Sequence, residues 1–378
     1  MKIGIITLHK IINFGSALQA YALQKYIQIA TNEDVEIIDY IFPNKSYREN
    51  ATFQIRLKSK LRLIYYGIFK RRYIQLYRFR LFYKKYLHLS KTTYDSDIAI
   101  MKKPPLYDVY LTGSDQVWNV KTLYNNPIMY CSFAPFTAKK ISYGASFATK
   151  DIPFSYRDEI KHRLLKYSHI GVREYSSLEI LKTLEIPDSI SQVCTSDPTL
   201  LLSAEDYEGI VRDSKIHIKT EYILVYYLNY AFDPEPVISY ISSYVQEKYN
   251  LPIIYIGSKG FKRYVDGEKV YNYTGLGPCE FAYLIKNAKH VITSSFHGTM
   301  FAIIFRKPFT AILPNSMHSD TRIKDVLKTL GLEVCGIEAD SNIKDFQILD
   351  YPYDSLVEGK IKCYIDRSRN FLINSIYN

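Results

Sequence analysis

Residues 106–119, LYDVYLTGSDQVWN, and residues 290–309, HVITSSFHGTMFAIIFRKPF, decide the fold of this chain. In each stretch an apolar, strand-like run, Leu106–Leu111 or His290–Ile292, leads directly into a short polar loop. In open α/β sheets, ligands bind outside the carboxyl ends of the strands. Two such loops in opposite halves of the chain therefore predict an α/β protein with two Rossmann-like domains and an inter-domain cleft.

The alternation of strand and helix patterns supports two parallel sheets covered by helices. Lys2–Leu8 is apolar and β-branched, and Ser16–Ile29 carries a helical stripe, after which similar pairs continue along the chain. The chain has 378 residues, which is enough for two cores, because single cores rarely exceed about 250–300 residues. We predict an N-terminal domain over residues 1–203 and a C-terminal domain over residues 221–378, joined by the polar stretch Ala204–Thr220.

Composition excludes several classes of protein. Hydrophobic content of 47% and charged content of 23% are typical of a globular protein. No apolar run approaches the ~18 residues that span a bilayer, and the first residues resemble a strand more than a signal peptide. Five cysteines without a CxxC pair favour a reducing cytoplasm over disulfides or structural zinc. The histidines show no metal-ligand spacing, and no dinucleotide or Walker motif is present, so we predict neither metal nor cofactor.

The basic excess of the chain lies in one segment. Between Ala51 and Tyr94 there are twelve Lys and Arg residues and no Asp or Glu, whereas the rest of the chain has 37 basic and 38 acidic residues. Apolar residues at helical spacing, such as Leu57 and Leu61, predict a basic helical insertion. Such a helix can lie on an anionic membrane, or it can pack on its domain with the charges in water. Both interpretations stay open, whereas nucleic acid is disfavoured because no nucleic-acid-binding module accompanies the charge.

The two opening motifs also carry a resemblance to a known family. GSDQVWN at residues 113–119, SSFHGTMFAIIFRKPF at residues 294–309 and SDTRI at residues 319–323 are similar to sequences of the polysaccharide pyruvyl transferase family. Members resemble GT-B glycosyltransferases in fold and move pyruvate from phosphoenolpyruvate to a sugar. The resemblance implies a ketal on a hexose of a capsule or exopolysaccharide repeat, with a lipid-linked acceptor as one option. It also implies that the final helix, Glu358–Tyr377, packs back on the first domain.

The loop after the first strand is a candidate anion site. It ends in Gly15 and Ser16 and leads directly into a helix, whose amino terminus offers N–H groups and about half a positive charge. Asn13 and Ser16 can add donors for a phosphate or a carboxylate. The alternative is that Ser16 only caps the helix.

The GSDQVWN loop contains groups suited to a sugar. Gly113 permits close backbone approach, Ser114 can donate, and Asp115 can accept from a hydroxyl. Trp118, the single tryptophan, offers a flat apolar face that fits a pyranose ring. The alternative is an Asp/Ser helix cap with the tryptophan in the core. The same interpretation applies to two residues at a later strand end, Gly144 and Ser146.

His297 is the predicted general acid, because it lies at a strand-to-helix turn between Ser295 and Gly298 within the most recognisable motif of the family. Some relatives have Arg-Leu-His where this chain has Ser295, Phe296 and His297, so another base must meet the anion held by that arginine. Arg173 looks like a family arginine at the cleft, and Arg322 matches a Ser-x-x-Arg-Ile pattern. Their structural alternatives are a surface ion pair and a helix cap.

The resemblance therefore implies a ketal-forming pyruvyltransferase, which we expect to be cytoplasmic, and peripheral on the inner face of the membrane if the basic segment docks there. Ketal formation requires a general acid and a general base, which we assign to His297 and Asp115. One alternative is a GT-B glycosyltransferase that uses a nucleotide sugar, although no acidic base- and ribose-binding loop is identified. The other alternative is a membrane-docked scaffold without catalytic activity.

Overall fold

All strands of the computed structural model are parallel and form two sheets. The structure describes residues 1–42, 67–228, 232–257, 270–315, 320–341 and 346–378. The first sheet contains β1 Lys2–Ile6, β2 Asp34–Tyr40, β3 Leu89–Tyr94, β4 Val109–Thr112, β5 Lys139–Ala145, β6 His169–Val172 and β7 Ser191–Cys194. The second contains β8 Ile223–Tyr226, β9 Ile253–Ile256, β10 Val270–Asn272, β11 His290–Thr293, β12 Phe309–Leu313 and β13 Gly336–Glu338.

Helices connect these strands within two compact units. The first unit includes the described residues of Met1–Ile55, Leu81–Leu202 and Cys363–Asn378, and the second those of Arg56–Arg80 and Ser203–Lys362. The described α-helices are α1 Phe14–Thr31, α2 Gly67–Tyr86, α3 Asp97–Lys102, α4 Val120–Leu123, α5 Phe154–Leu164, α6 Tyr175–Thr183, α7 Glu208–Arg212, α8 Val237–Tyr249, α9 Pro278–Asn287, α10 Phe296–Ile304, α11 Arg322–Leu330 and α12 Ser355–Tyr377. Among the described helices, none combines the length and the apolar character needed to cross a membrane.

The first sheet has the strand order β3-β2-β1-β4-β5-β6-β7. Ile3, Ile5 and Ile6 of β1 are fully buried, because helices cover both faces of a central strand in a parallel sheet. The strand order reverses beside β1, which pairs with β2 on one side and β4 on the other, with Ile6 opposite Thr112. The loops that follow β1 and β4 therefore flank a topological switch point.

The second sheet has the order β10-β9-β8-β11-β12-β13, with its own switch point between β8 and β11. Thr293 at the end of β11 lies opposite Tyr226 at the end of β8. The predicted fold class, two Rossmann-like domains with parallel sheets, is confirmed. The stretch predicted as a connector carries α7, and Tyr207 before it is buried 5.0 Å from the ring of Phe301.

The last turns of α12 belong to the first unit. The backbone N–H of Ser196 donates to the Ser368 hydroxyl at 2.8 Å, and the Tyr364 hydroxyl donates to the carbonyl of Thr195 at 2.9 Å. Arg369 adds a bond of 2.7 Å to the carbonyl of Leu201. These contacts fix the helix to the chain that follows β7.

The basic segment is not helical throughout its described part. Leu89–Tyr94 forms β3 and pairs with β2, with Tyr94 opposite Tyr40. The side chain of Gln24 fixes the entry to this strand, because its amide donates to the His88 carbonyl at 2.7 Å and its oxygen accepts from the His88 N–H at 2.9 Å. The sequence did not reveal this contact. The predicted helical positions Leu57 and Leu61 lie outside the described residues.

A buried histidine makes stability depend on pH. Burial, together with the charge of Lys248, lowers the pKa of His290 to about 3, whereas an unfolded histidine has a pKa of about 6.5. The unfolded chain therefore takes up this proton first, so the unfolding free energy falls as the pH drops from about 6.5 towards 3. At pH 5 the loss is about 2 kcal/mol. Between pH 7.5 and pH 5, we expect the unfolding free energy of His290→Gln to fall by about 2 kcal/mol less than that of the wild type. Glutamine keeps a hydrogen-bond partner for Thr310, and urea unfolding at each pH measures the unfolding free energy.

His217→Gln is the matched control, since His217 is exposed and lies in the same unit. It should leave the pH dependence as in the wild type. An unchanged pH dependence in the His290 variant would contradict the assignment.

Candidate active site

The loop after β1 is closed by a helix cap. The side-chain oxygen of Asn13 accepts from the backbone N–H of Ser16 at 3.2 Å, so Asn13 rather than Ser16 is the N-cap of α1. The hydroxyl of Ser16 instead donates to Asp115 at 2.5 Å. Gly15 is buried in the first helical turn. The predicted loop therefore contacts the second predicted loop through a side chain.

A residue that sequence reasoning missed joins the two loops at this switch point. Gln19, fully buried on α1, donates to the Thr7 hydroxyl at 3.0 Å, and its oxygen accepts from the backbone N–H of Ser114 at 3.2 Å. The only available signal was a polar side chain between two apolar residues of a buried helix. The bonds of Gln19 fix the relative position of the two loops.

Gly113, Ser114 and Gly144 shape the loop after β4. Gly113 has φ of 139°, and a Cβ there would lie 2.0 Å from the carbonyl oxygen of Tyr143, so no other residue fits. Ser114 is fully buried and its hydroxyl donates to the carbonyl of Gly144 at 2.7 Å. The prediction that the Ser114 hydroxyl binds a substrate is therefore wrong, because the hydroxyl is bonded within the loop.

Ser146 has a similar structural role. Its backbone N–H donates to the carbonyl of Asp115 at 3.0 Å, and its hydroxyl accepts from the N–H of Ala148 at 3.0 Å. Ser146 is fully buried. It supports the backbone of Asp115 from the adjacent strand end, rather than presenting its hydroxyl to a ligand.

Trp118 lies in the core of the first unit. Its ring stacks on Tyr130 with centroids 5.5 Å apart and an interplanar angle of 6°, and its Nε1 donates to the carbonyl of Met129 at 3.2 Å. Only 1% of the residue is exposed. The prediction that Trp118 stacks on a sugar is wrong, because both the ring and its polar atom are used in the core.

Several surrounding groups contact the carboxylate of Asp115. It has φ of 77°, and its Oδ1 accepts from the backbone N–H of Gln116 at 2.9 Å. Its other oxygen accepts from Ser16, and Arg173 contacts Oδ1 at 3.4 Å. The Asp115 side chain keeps 10% of its area exposed, so it is held on several sides and still reaches the surface.

Arg173 lies between two carboxylates. Its guanidinium donates to Asp197 at 2.9 Å and to Asp115 at 3.4 Å, and 1% of its side chain is exposed. Asp197 is also held by the N–H and hydroxyl of Thr199, at 3.0 and 2.7 Å. We call Ser16, Asp115, Arg173 and Asp197 the carboxylate cluster.

The carboxylate cluster revises the expected role of Arg173. One guanidinium faces two carboxylates, so its charge is already balanced and it is not placed as a receptor for a donor anion. The alternative of a surface ion pair is also wrong, because the pair is buried. Asp197, after β7, was not predicted as a site residue.

The second switch point has a parallel construction. The Ser294 hydroxyl accepts from the N–H of Leu228 at 3.0 Å and so joins the loops after β8 and β11. Ser295 is the N-cap of α10 and accepts from the N–H of Gly298 at 3.3 Å. A Cβ at Gly298 would lie 2.4 Å from the Thr293 hydroxyl, so the turn requires glycine. His297, the second residue of α10, is 8% exposed.

Arg322 lies next to the ring that neighbours His297. Its guanidinium is 5.6 Å from the centroid of the Phe296 ring and donates to both oxygens of Asp320, at 2.8 and 2.6 Å. Arg322 is the first residue of α11. The structure thus places Arg322 beside the His297 motif, with its guanidinium bonded to Asp320. Ser319 of the same motif lies outside the described residues.

Another buried polar group lies at the carboxyl ends of β1 and β2. His9 is fully buried and contacts Asp39 at 3.2 Å, and Lys10 contacts the same carboxylate at 2.5 Å. Burial raises the pKa of Asp39, but the hydrogen bond with His9 and the charge of Lys10 outweigh it and leave the pKa well below its usual value. Sequence spacing did not reveal this group.

One group of potential metal ligands lies elsewhere among the described residues. Asp34, Glu36 and His88 have ligand atoms within 4.8 Å of one another. Asp34 and His88 lie at the amino ends of β2 and β3, away from the motif loops. Glu36 is already contacted by the amine of Lys2 at 3.1 Å and the hydroxyl of Tyr107 at 2.9 Å.

The buried ion pairs of the carboxylate cluster should contribute to the stability of the protein. Arg173→Ala leaves Asp115 and Asp197 without their shared counter-charge, and breaking a buried pair in this way costs about 3–5 kcal/mol. Arg157→Ala is the matched control, because Arg157 pairs with Asp151 at 2.8 Å on the surface of the same unit. The loss of unfolding free energy in Arg157→Ala should stay within about 1 kcal/mol. Urea unfolding measures both, and equal losses would contradict the cluster.

Comparison with solved structures identifies the fold. The structure of UDP-GlcNAc 2-epimerase from Neisseria meningitidis bound to UDP-GlcNAc is similar with a TM-score of 0.50 and 10% identity, covering 100% of this chain and 99% of that one. The Methanocaldococcus jannaschii UDP-GlcNAc 2-epimerase in complex with UDP-GlcNAc and UDP has a TM-score of 0.48 and 14% identity, over 98% and 94% of the chains. At 10% identity the likeness to the Neisseria meningitidis structure concerns the fold alone, and the fold class is GT-B.

Comparison of the sequence identifies the family. No curated protein matches the sequence. The model of the family described as polysaccharide pyruvyl transferase matches residues 13–316, a range that includes the GSDQVWN loop, Arg173 and the His297 turn. Since the match covers most of the chain and both motif loops, the chain belongs to the polysaccharide pyruvyl transferase family.

Proposed function

We propose that this protein transfers pyruvate from phosphoenolpyruvate to two hydroxyls of one sugar in a cell-surface polysaccharide repeat, such as a capsule or exopolysaccharide, forming a cyclic ketal. Family membership gives a transferase that acts on polysaccharide. One observation carries the finer proposal: the GSDQVWN loop and the His297 turn, which bear the family resemblance, each follow a strand at a topological switch point, β4 or β11. Ligands of open α/β sheets bind at such positions.

The reaction balances without a further co-reactant. A proton adds to the methylene carbon of phosphoenolpyruvate, which becomes the methyl group, and one sugar hydroxyl forms a bond to the adjacent carbon. The bond from that carbon to the phosphate oxygen breaks, and the second hydroxyl closes the ring. Of the two hydroxyl protons, one balances the new methyl group and the other leaves with phosphate. Phosphoenolpyruvate and the sugar are therefore the only reactants of the proposed step.

Asp115 is proposed as the base that orients and deprotonates a sugar hydroxyl. Support comes from its exposure, since 10% of its side chain is exposed whereas none of the Asp197 side chain is. Ser16 and Arg173 hold the two oxygens of Asp115 in place. Arg173 is then a positioning residue that fixes this carboxylate.

His297 is proposed as the acid that protonates the methylene carbon. Its backbone is held by the Ser295 cap and by close packing of Gly298 on Thr293, so the imidazole has a defined position at the start of α10. The amino end of α10 is proposed to meet an anionic group of the donor with backbone N–H groups.

The acceptor is proposed to be a lipid-linked oligosaccharide reached from the cytoplasmic side. The sequence has five widely spaced cysteines without a CxxC pair, a pattern that favours a reducing compartment. A peripheral position on the inner face of the membrane would place the enzyme beside its acceptor.

The donor is tested by thermal shift. Phosphoenolpyruvate at a hundredfold excess over its Kd should stabilise the protein by about 2.7 kcal/mol, because it binds only the folded state. UDP, GDP and CMP should leave the melting temperature unchanged. A shift with a nucleotide and none with phosphoenolpyruvate would replace this proposal with a nucleotide-sugar glycosyltransferase.

The acid is tested by His297→Gln. Turnover, followed as phosphate release with a panel of nitrophenyl hexosides, should fall roughly 10²–10⁴-fold, the usual range for general acid–base catalysis. The thermal shift with phosphoenolpyruvate should persist, since the fold and the donor contacts remain. The exposed histidine variant His162→Gln serves as control and should retain full turnover. Wild-type turnover in the His297 variant would reject its role.

A further inference from the structure

Helix α2 presents one exposed face that combines apolar and basic side chains. Tyr77, Arg80, Leu81 and Lys84 follow one another at spacings of three, one and three residues, which places them on a single side of the helix. All four are exposed, Tyr77 by 53% and Leu81 by 41%. Tyr73, one turn earlier, is 37% exposed on the same side. We call these five residues the outer face of α2.

The opposite side of the helix fixes this orientation. Phe79 and Phe82 are buried, and the ring of Phe82 lies 6.2 Å from Tyr21 and 5.1 Å from Tyr86. The hydroxyl of Tyr83 donates to the Ile11 carbonyl at 3.1 Å. The core contacts of α2 are therefore made by the inner side, and Tyr77 and Leu81 are not needed for them.

Arg78 belongs to the inner side as well. Its guanidinium contacts Glu280 at 3.4 Å and donates to the Gly275 carbonyl at 3.0 Å. A Cβ at Gly277 would lie 2.7 Å from the Cβ of Arg78, so the helix and this loop approach closely. Arg78 is thus a structural base and is not part of the outer face of α2.

The charge of α2 has one sign. The helix contains no Asp or Glu, and besides Arg78 its described side chains include five bases, Arg71, Arg72, Arg80, Lys84 and Lys85. Exposed tyrosine combines an apolar ring with a polar tip, and lysine and arginine can keep their charge in water while the stem lies on apolar surface. This combination fits the boundary between lipid headgroups and acyl chains.

We propose that the outer face of α2 docks on an anionic membrane surface, with the helix axis parallel to the membrane plane. Charge complementarity selects this occupant. A second copy of the chain would bring the same positive face against itself, and nucleic acid would match the charge but leave Leu81 without an apolar partner. The inference rests on the proposed function only for its purpose, access to a lipid-linked acceptor, because docking itself involves no catalysis.

The test measures binding of the full chain to vesicles of phosphatidylcholine with 30% phosphatidylglycerol by flotation. We expect the wild-type protein to float with these vesicles at low salt and to bind less as salt rises. It should not bind vesicles of pure phosphatidylcholine. Arg80→Gln with Lys84→Gln should lower the partition coefficient roughly 30-fold, at about 1 kcal/mol per basic residue. Tyr77→Ser with Leu81→Ser should also weaken binding, because the apolar contact is lost.

Matched controls come from other helices. Tyr240 and Tyr244 are exposed on α8 with the same four-residue spacing as Tyr77 and Leu81, and Lys182 and Lys328 are exposed on α6 and α11. The serine and glutamine variants of these pairs should float like the wild type. Equal losses in the control and outer-face variants, or failure of the wild type to bind anionic vesicles at low salt, would overturn the proposal.

Two further measurements separate the competing occupants and the proposed function. Tight binding to a fluorescent oligonucleotide without vesicle binding would assign the face to nucleic acid, and a dimer lost in Tyr77→Ser with Leu81→Ser would assign it to a second copy. The Arg80→Gln, Lys84→Gln protein should keep the wild-type thermal shift with phosphoenolpyruvate and turnover on a soluble hexoside. Flotation without that thermal shift would support docking and reject the proposed donor, whereas the reverse result would reject docking alone.

Discussion

In both units one strand pairs with two later strands that lie on opposite sides of it in the sheet, β1 with β2 and β4, and β8 with β9 and β11. The connection after β1 or β8 leaves in one direction and the connection after its neighbour β4 or β11 leaves in the other, so the two loops separate and the strand ends between them are open to a ligand. Every polar group brought there must find a partner, because the strands beneath are buried. Gln19 and Ser294 meet this need by joining the loops of adjacent strands, and the positions of Asp115 and His297 depend on those bonds.

Local features of the fold could be predicted from the sequence, because periodicity, turn glycines and helix starts depend on residues that are close together in the chain. The loop at Gly298 is an example, because glycine is needed there to leave room for Thr293 of the same turn. Pairings across the sheet could not be predicted. Arg173 meets Asp197 and Asp115, 24 and 58 residues away, only because β6 lies between β5 and β7.

Two predictions failed for the same physical reason. Trp118 and Ser114 were assigned to a ligand because polar and aromatic side chains in a loop after a strand suit a sugar. The loop turns back onto the unit, so Tyr130 and Gly144 take up the indole ring and the hydroxyl. β3 was missed because the charges of its segment suggested a solvated helix, whereas the contact that fixes it comes from Gln24 on α1.

The path of α12 has a consequence for how the protein is made. Its last turns, residues 363–378, pack on the first unit, where Leu372 and Ile376 are buried and the amine of Lys139 donates to the Ile376 carbonyl at 3.0 Å. During translation the first unit therefore leaves the ribosome with an apolar surface beside β5–β7 uncovered until the second unit has been synthesised. Domains fold largely as they emerge, and exposed apolar surface promotes aggregation. The first unit thus completes its core last, although most of it is synthesised first.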